Sequence, residues 1–282
     1  MKVLVVGGTG FIGQSLSKLL WSEGHEVVGT SSNPGVANSL DLTDFSMCQR
    51  ITANGDFDAV INLAGRGATS GTASKLEMLE INRDGVKNLA KAVFEIGNGA
   101  PFFIHVASST EPSSGAKIEP ESEYSRSKAL GTEAVRDIFG SAEGRYVIAR
   151  VHNTYGAQQP RGRFIASVIS HLREGMPFDI SYPVRVRDFC YVDDVVENLA
   201  RLLRGNDMGI YFEIGTGRGV SLLDVANTVC DTVSASPSLI RVRTPALNDA
   251  HPYEVANANS THFLQCSTPL EEGIEITVKE MK

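Results

Sequence analysis

The chain is poor in three things, and each shortage removes a class of function. Its four cysteines, Cys48, Cys190, Cys230 and Cys266, are scattered without a CxxC pair, so neither a disulfide framework nor a metal site is expected and a reducing, cytoplasmic setting is predicted. No apolar run approaches a membrane span. The apolar start is cut by Gly7 and Gly8 before a secretory signal could form, so neither a membrane partner nor export is expected. Positive charge is also short. Lys and Arg number 26 against 33 Asp and Glu, and the formal charge of −7 argues against nucleic acid as a partner. An anionic ligand then needs a local basic patch, for which Arg161, Arg163, Arg173, Arg185 and Arg187 crowd one region.

Glycine, by contrast, is concentrated where it has a use. Gly7 to Gly13 read GGTGFIG, directly after the apolar run Val3-Leu4-Val5-Val6. Phe11, Ile12, Leu16, Leu19 and Leu20 then recur at helical spacing. A buried-type strand, a glycine turn and a helix make a unit suited to pyrophosphate, because glycines let the backbone approach the phosphates at the helix N-terminus.

Strand-like runs at Val3–Val6, Glu26–Gly29, Ala59–Leu63, Phe102–Ala107 and Tyr146–Ala149 alternate with helical patterns near Phe11–Trp21, Leu76–Phe94 and Tyr124–Phe139. That alternation predicts an α/β fold, a Rossmann-type doubly wound parallel sheet whose ligand lies beyond the carboxyl ends of the strands. After about Asn153 the regularity falls off. The expected division is a cofactor domain over 1–155 and a smaller C-terminal substrate-binding lobe over 156–282, with segments returning to the first.

Tyr124 and Lys128 lie four apart in a helical stretch and so share one face. A phenol with a pKa of about 10 is too weak an acid to exchange protons readily at neutral pH. An ammonium at ~4 Å is worth roughly 4 kcal/mol at an effective dielectric of 20, enough to lower that pKa by about three units. This is the shift a tyrosine general acid/base needs. The strand Phe102–Ala107 runs into Ser108-Ser109-Thr110, hydroxyls at a strand tip able to share a substrate oxygen with Tyr124.

These strings together resemble the extended short-chain dehydrogenase/reductase superfamily, in particular its NAD(P)-dependent nucleotide-sugar epimerases, dehydratases and 4-ketoreductases. The resemblance runs along nearly the whole chain. It takes in GGTGFIG, Asp41-Leu42-Thr43-Asp44, INLAG at Ile61–Gly65, Asn82 with Gly85 and Asn88, and SST at Ser108–Thr110. Tyr124 with Lys128, RVHNTYG from Arg150, RDFCYVDDV from Arg187 and YFEIGTGRGVSLLDVA from Tyr211 complete it. It implies that Gly7, Gly10, Phe11, Ile12 and Gly13 hold the cofactor pyrophosphate, that Asp41 and Leu42 meet the adenine, and that Leu63 and Ala64 line the nicotinamide side. Lys128 would also bind the nicotinamide ribose. Asn82, grouped with the cofactor residues, resembles the helix asparagine that supports the active site. Thr110, five before Gly115, matches the catalytic Ser/Thr, with Ser109 as the fallback. Asn153 would face the substrate, and Arg187 would clamp its diphosphate. A homodimer formed in part by the Tyr124 helix is also implied.

The departures from that pattern are as informative. The second strand ends Gly29-Thr30-Ser31-Ser32-Asn33, with no carboxylate to repel a 2′-phosphate, so Thr30, Ser31 and Ser32 point to NADP over NAD. Ser113-Ser114-Gly115 replaces the family's VYG. Where dehydratases follow the threonine with Asp-Glu, this chain has Glu111-Pro112, one acid instead of two. His251 stands where a second phosphate-binding arginine is expected. The expected function is an oxidoreductase acting on a nucleotide-linked sugar, a 4-ketoreductase ahead of an epimerase or dehydratase. A non-catalytic dinucleotide sensor is the rival from another class.

Overall fold

The computed structural model describes residues 1–36, 38–69, 71–97, 99–111, 122–140, 145–205, 210–243 and 253–281. In chain order, β1 (Lys2–Val6), α1 (Phe11–Ser22), β2 (Glu26–Gly29), α2 (Phe45–Asn54) and β3 (Ala59–Asn62) come first. Next are α3 (Lys75–Leu79), α4 (Val86–Glu95), β4 (Phe102–Ser108), α5 (Glu123–Phe139) and β5 (Tyr146–Val151). Then follow β6 (Asn153–Tyr155), α6 (Phe164–Arg173), β7 (Phe178–Ile180), β8 (Val186–Arg187), β9 (Phe189–Tyr191), α7 (Val192–Leu203) and β10 (Tyr211–Gly215). The chain closes with β11 (Val220–Ser221), α8 (Leu222–Thr232), β12 (Ile240–Val242), β13 (Tyr253–Glu254), β14 (Phe263–Gln265) and α9 (Leu270–Glu280).

Seven strands run in the order β14-β10-β5-β4-β3-β1-β2. β1 pairs in parallel with β2 on one side and β3 on the other. The strand order therefore reverses between β1 and β3, which is where open α/β sheets take their ligands. The chain divides into two compact units, Met1–Val151 with Val196–Phe212, and His152–Val195 with Glu213–Lys282. The first boundary falls before the expected 155/156, and two further crossings lie inside α7 and inside β10.

The first unit is built on a core of Leu4, Val60, Phe103 and Ile148 from the strands and Leu89, Val93, Val135 and Phe139 from α4 and α5. Phe139 stacks on Phe103 at 5.4 Å and on Tyr146 at 4.8 Å, fixing the end of α5 on the sheet. Each such buried side chain contributes roughly 1.5–3 kcal/mol.

The helical stretch expected over Leu76–Phe94 is broken into α3, a π-helical turn over Glu80–Gly85, and α4. Close packing at the turn accompanies the break. A methyl at Gly131 of α5 would sit 2.0 Å from the carbonyl of Asn82, and one at Gly85 would sit 2.7 Å from Leu42 Cβ. The strand alternation also hid α2, which Asp44 starts by accepting the amides of Ser46 and Met47.

In the second unit, β6 pairs with β9 and β8 lies between β11 and β13. The regularity lost after Asn153 is that of long strands, because α6, α8 and α9 are well formed there. Asp188, fully buried, ties the unit together: its carboxylate accepts the amides of Thr216 (3.0 Å), Gly217 (2.9 Å) and Ala256 (3.2 Å).

Candidate active site

The glycine loop leaves β1 at the order reversal. Gly7 adopts φ +79, where a side chain would be strained, and a Cβ there would lie 3.1 Å from the amide nitrogen of Ala64. A Cβ on Gly13 would fall 2.2 Å from the Gly7 carbonyl, and one on Gly8 2.7 Å from Gly29 Cα. Packing therefore forbids side chains at these positions. Gly10 starts α1 in an extended conformation with no side-chain cap, whereas Asp44, Ser122 and Ser221 cap α2, α5 and α8. A bare backbone cradle leading into an uncapped helix N-terminus, at Phe11, Ile12 and Gly13, fits a dinucleotide pyrophosphate. Leu63 and Ala64 meet this cradle, Leu63 N donating to Val6 O at 2.9 Å.

Two cofactor expectations change. Thr30 is 1% exposed and accepts the Gly7 amide through Oγ1 at 3.4 Å. Its hydroxyl braces the glycine loop from within, because β2 turns that side chain into the fold. Leu42 is a core residue, so anything it offers a ligand comes from its backbone. Asp41 is exposed and holds its own turn by accepting Thr43 N at 2.9 Å. Ser31 Oγ accepts the Asn33 amide at 3.1 Å, and Ser32 stays exposed.

Ser122 caps α5, which carries Tyr124 and Lys128 one turn apart. Tyr124 is half-buried. Lys128 is only 5% exposed, and its Nζ donates to the Val106 carbonyl at 2.8 Å. Burial pulls the lysine pKa down, and Glu111 opposes that shift. At the tip of β4, Thr110 is half-buried with Oγ1 2.9 Å from Ser108 Oγ, while Ser109 is buried and donates its amide to Val151 O. Of the two candidate hydroxyls, Thr110 is the more open.

Asn82 is fully buried on the π-helical turn. Its Nδ2 donates to Arg66 O (2.9 Å) and Ser127 Oγ (2.8 Å), and its Oδ1 accepts Arg66 N (2.7 Å). Both amide hydrogens are thus spent on bracing the loop after β3 against α5.

Three residues at this site carry more than the sequence reading gave them. Ser108 partners Thr110. Arg150 donates through Nη2 to the carbonyls of Ser109 and Glu111, holding the tip from β5. Glu111, 4% exposed, turns its carboxylate inward, accepting Ser108 N at 2.6 Å and Thr132 Oγ1 at 2.7 Å. Burial raises the pKa of this carboxyl, with Lys128 the first influence against it. Only the unbroken SST-Glu string hinted at such a cluster.

In the second unit Asn153 and Arg187 converge on one residue the sequence reading did not single out. Arg187 Nε lies 3.5 Å from Glu254 Oε2, and Asn153 Nδ2 donates to Glu254 Oε1 at 3.3 Å. Two arginines of the supposed basic patch have structural contacts. Arg173 donates to the Met281 carbonyl at 2.6 Å at the end of α9, and Arg185 stacks on Tyr182 at 4.5 Å. His251 and Gly115 lie outside the described residues. Among the described residues no group of His, Cys, Asp or Glu is arranged to hold a metal, and no helix is long and apolar enough to cross a membrane.

Comparison with known proteins places the chain in a family. The model of the NAD dependent epimerase/dehydratase family matches residues 3–215. UDP-glucuronic acid decarboxylase 3 of Arabidopsis thaliana is 25% identical, covering 100% of this chain and 89% of the relative. CDP-abequose synthase of Salmonella muenchen is 26% identical over 99% of this chain and 96% of its own. The fold matches UDP-glucose 4-epimerase of Thermotoga maritima, solved with UDP-glucose, at a TM-score of 0.84 and 22% identity, covering 99% and 98% of the two chains. The chain belongs to the NAD dependent epimerase/dehydratase family and is an NAD(P)-dependent enzyme of the extended short-chain dehydrogenase/reductase group.

Proposed function

We propose that this enzyme is a 4-ketoreductase of a nucleotide-linked sugar, with Tyr124, Lys128 and Thr110 as its catalytic residues. Among the activities of the family, the inward turn of Glu111 supports reduction over dehydration, and the carboxylate-free end of β2, suited to NADPH, supports net reduction over epimerisation. Eliminating water from a sugar needs an acid and a base that reach the substrate. The carboxylate after Thr110 is instead spent on Ser108 N and Thr132, and the next residue is proline. Reducing a ketone needs only one proton donor.

Bound NAD(P)H supplies the hydride. Tyr124 gives the proton to the oxygen that becomes the new alcohol, and the charge of Lys128, one turn along α5, favours the tyrosinate left behind. Thr110 hydrogen-bonds the same oxygen, its own hydroxyl set by Ser108. Asn153 and Arg187 bind the nucleotide-sugar, with Arg187 on the diphosphate and Glu254 orienting both side chains. The lack of a carboxylate at Ser31-Ser32 supports NADPH as the reductant. A homodimer in a reducing compartment completes the reading, with all four cysteines buried.

Nicotinamide absorbance, followed with NADPH and NADH in parallel against nucleotide-linked 4-keto-6-deoxy sugars, tests this. Net NADPH oxidation is expected. Interconversion of ordinary nucleotide sugars with no net change in absorbance means an epimerase. Inactivity on every substrate, with cofactor still bound, means a sensor.

A further inference from the structure

Behind the catalytic residues, one buried hydrogen-bond chain in the first unit joins β3, β4 and α5. Ala64 N donates to Asn62 Oδ1 at 3.1 Å, which fixes the orientation of that amide. Asn62 Nδ2, necessarily a donor, lies 3.3 Å from His105 Nδ1, so that ring nitrogen accepts. His105 then carries its proton on Nε2, which lies 3.3 Å from Thr132 Oγ1. Having accepted from the ring, Thr132 directs its own hydroxyl proton to Glu111 Oε2 at 2.7 Å, while Ser108 N donates to Oε1 at 2.6 Å. Every donor in the chain points toward Glu111. That polarity suits a carboxylate; a protonated acid would place two hydrogens between Glu111 and Thr132.

A buried anion held this way needs a cation, and the facing ionisable groups come from three elements. His105 on β4 stays neutral, its pKa pushed well below the usual range by burial and then by the charge of Lys128. Arg150 on β5 spends Nη2 on the carbonyls of Ser109 and Glu111, and its charge favours the Glu111 carboxylate less than that of Lys128 does. Lys128 on α5, one turn after Tyr124 and one turn before the Thr132 that holds Glu111, is as deeply buried as Glu111, and its Nζ meets the neutral carbonyl of Val106, two residues along β4 from the Ser108 amide that Glu111 accepts. An ammonium in that setting tends to shed its proton unless a negative charge stands near.

We propose that Glu111 is the buried counter-charge that keeps Lys128 an ammonium, making it a positioning residue for the Tyr124 site and not an acid or base that meets substrate. The idea rests on the catalytic reading of Tyr124 and Lys128 given above. It also accounts for a single acid after Thr110: its task lies behind the site.

The test needs no substrate. Glu111→Gln, Lys128→Met and the double variant are melted alongside wild type from about pH 6 to pH 10. Each single change leaves one buried charge unpaired and lowers the melting temperature by several degrees; the double change removes both charges and recovers most of that loss. The deficit of Glu111→Gln narrows as pH rises toward about 10.4, the ordinary lysine pKa, where Lys128 is neutral in the unfolded chain too. Additive losses, or a deficit that ignores pH, overturn the pairing. Should Glu111→Gln fail to fold, Thr132→Val serves instead. It strips one donor from the carboxylate at unchanged charge, and its melting loss must shrink in a Lys128→Met background. Additive melts with an inactive Tyr124→Phe remove the pairing alone. An active Tyr124→Phe removes the catalytic reading and leaves the pairing in place.

Discussion

Among the described residues each unit buries one carboxylate, and the two are satisfied in opposite ways. Asp188 in the second unit takes three backbone amides, from Thr216, Gly217 and Ala256, together with the Thr216 hydroxyl at 2.5 Å. The three amides cannot titrate or rotate away, so the group works as a knot between the β8–β9 junction, the turn after β10 and the stretch after β13 at Ala256. Glu111 in the first unit takes one backbone amide and one hydroxyl, and feels the charges of two ionisable side chains, Lys128 and Arg150. The first arrangement resists change. The second lets a change of charge at one group be felt by its neighbours.

Substitutions can break or sharpen that contrast. The largest effect belongs to the first unit: Tyr124→Phe is expected to cut turnover by about 10²–10⁴-fold. Cofactor affinity, read by nicotinamide fluorescence, should stay close to wild type, and a variant retaining a tenth of the rate removes the proposed proton donor. In the second unit the corresponding blow falls on stability. Asp188→Ala strands several buried donors and should cost roughly 3–5 kcal/mol in urea unfolding, with Asp188→Asn costing less. A mild Asp188→Ala would show that the knot is not a knot.

Arg187→Ala is smaller and separates binding from folding within the second unit. It should raise the KM for the nucleotide sugar about tenfold with kcat nearly unchanged, as loss of uniform binding does; an unaltered KM places the diphosphate elsewhere. The smallest effect is at Asp44, whose pKa is lowered first by the Ser46 hydroxyl and then by the Met47 amide. A carboxyl with a depressed folded-state pKa stabilises above its unfolded value of about 3.9 and loses that contribution as pH falls through the folded value. Asp44→Ala should therefore melt slightly earlier at neutral pH, and the gap should close in acid.

The parts of the site legible in the sequence were those with a local signature. The GGTGFIG turn, the Tyr124–Lys128 spacing and the hydroxyls of the β4 tip each lie within a few consecutive residues, and short apolar runs placed β1 to β5. What was hidden depends on partners far along the chain. Glu111 meets Thr132, Asn82 meets Arg66 and Ser127, and Glu254 joins Asn153 to Arg187. Thr30 was misread for a related reason: the end of β2 is rich in hydroxyls, but only the register of the strand decides which of them faces inward. The π-helical turn was invisible as well, because its apolar pattern does not differ enough from that of an ordinary helix.

The path of the chain between the two units has a practical consequence. It passes from one to the other after Val151, within α7 and within β10, so neither unit is a contiguous stretch of sequence. No single truncation isolates either one. A ribosome making this protein has completed neither core when β5 emerges, since residues 196–212 of the first unit are still to come. Deletion series meant to dissect the enzyme should therefore yield insoluble fragments at nearly every end point, and a dissection that preserves folding must splice segments rather than cut.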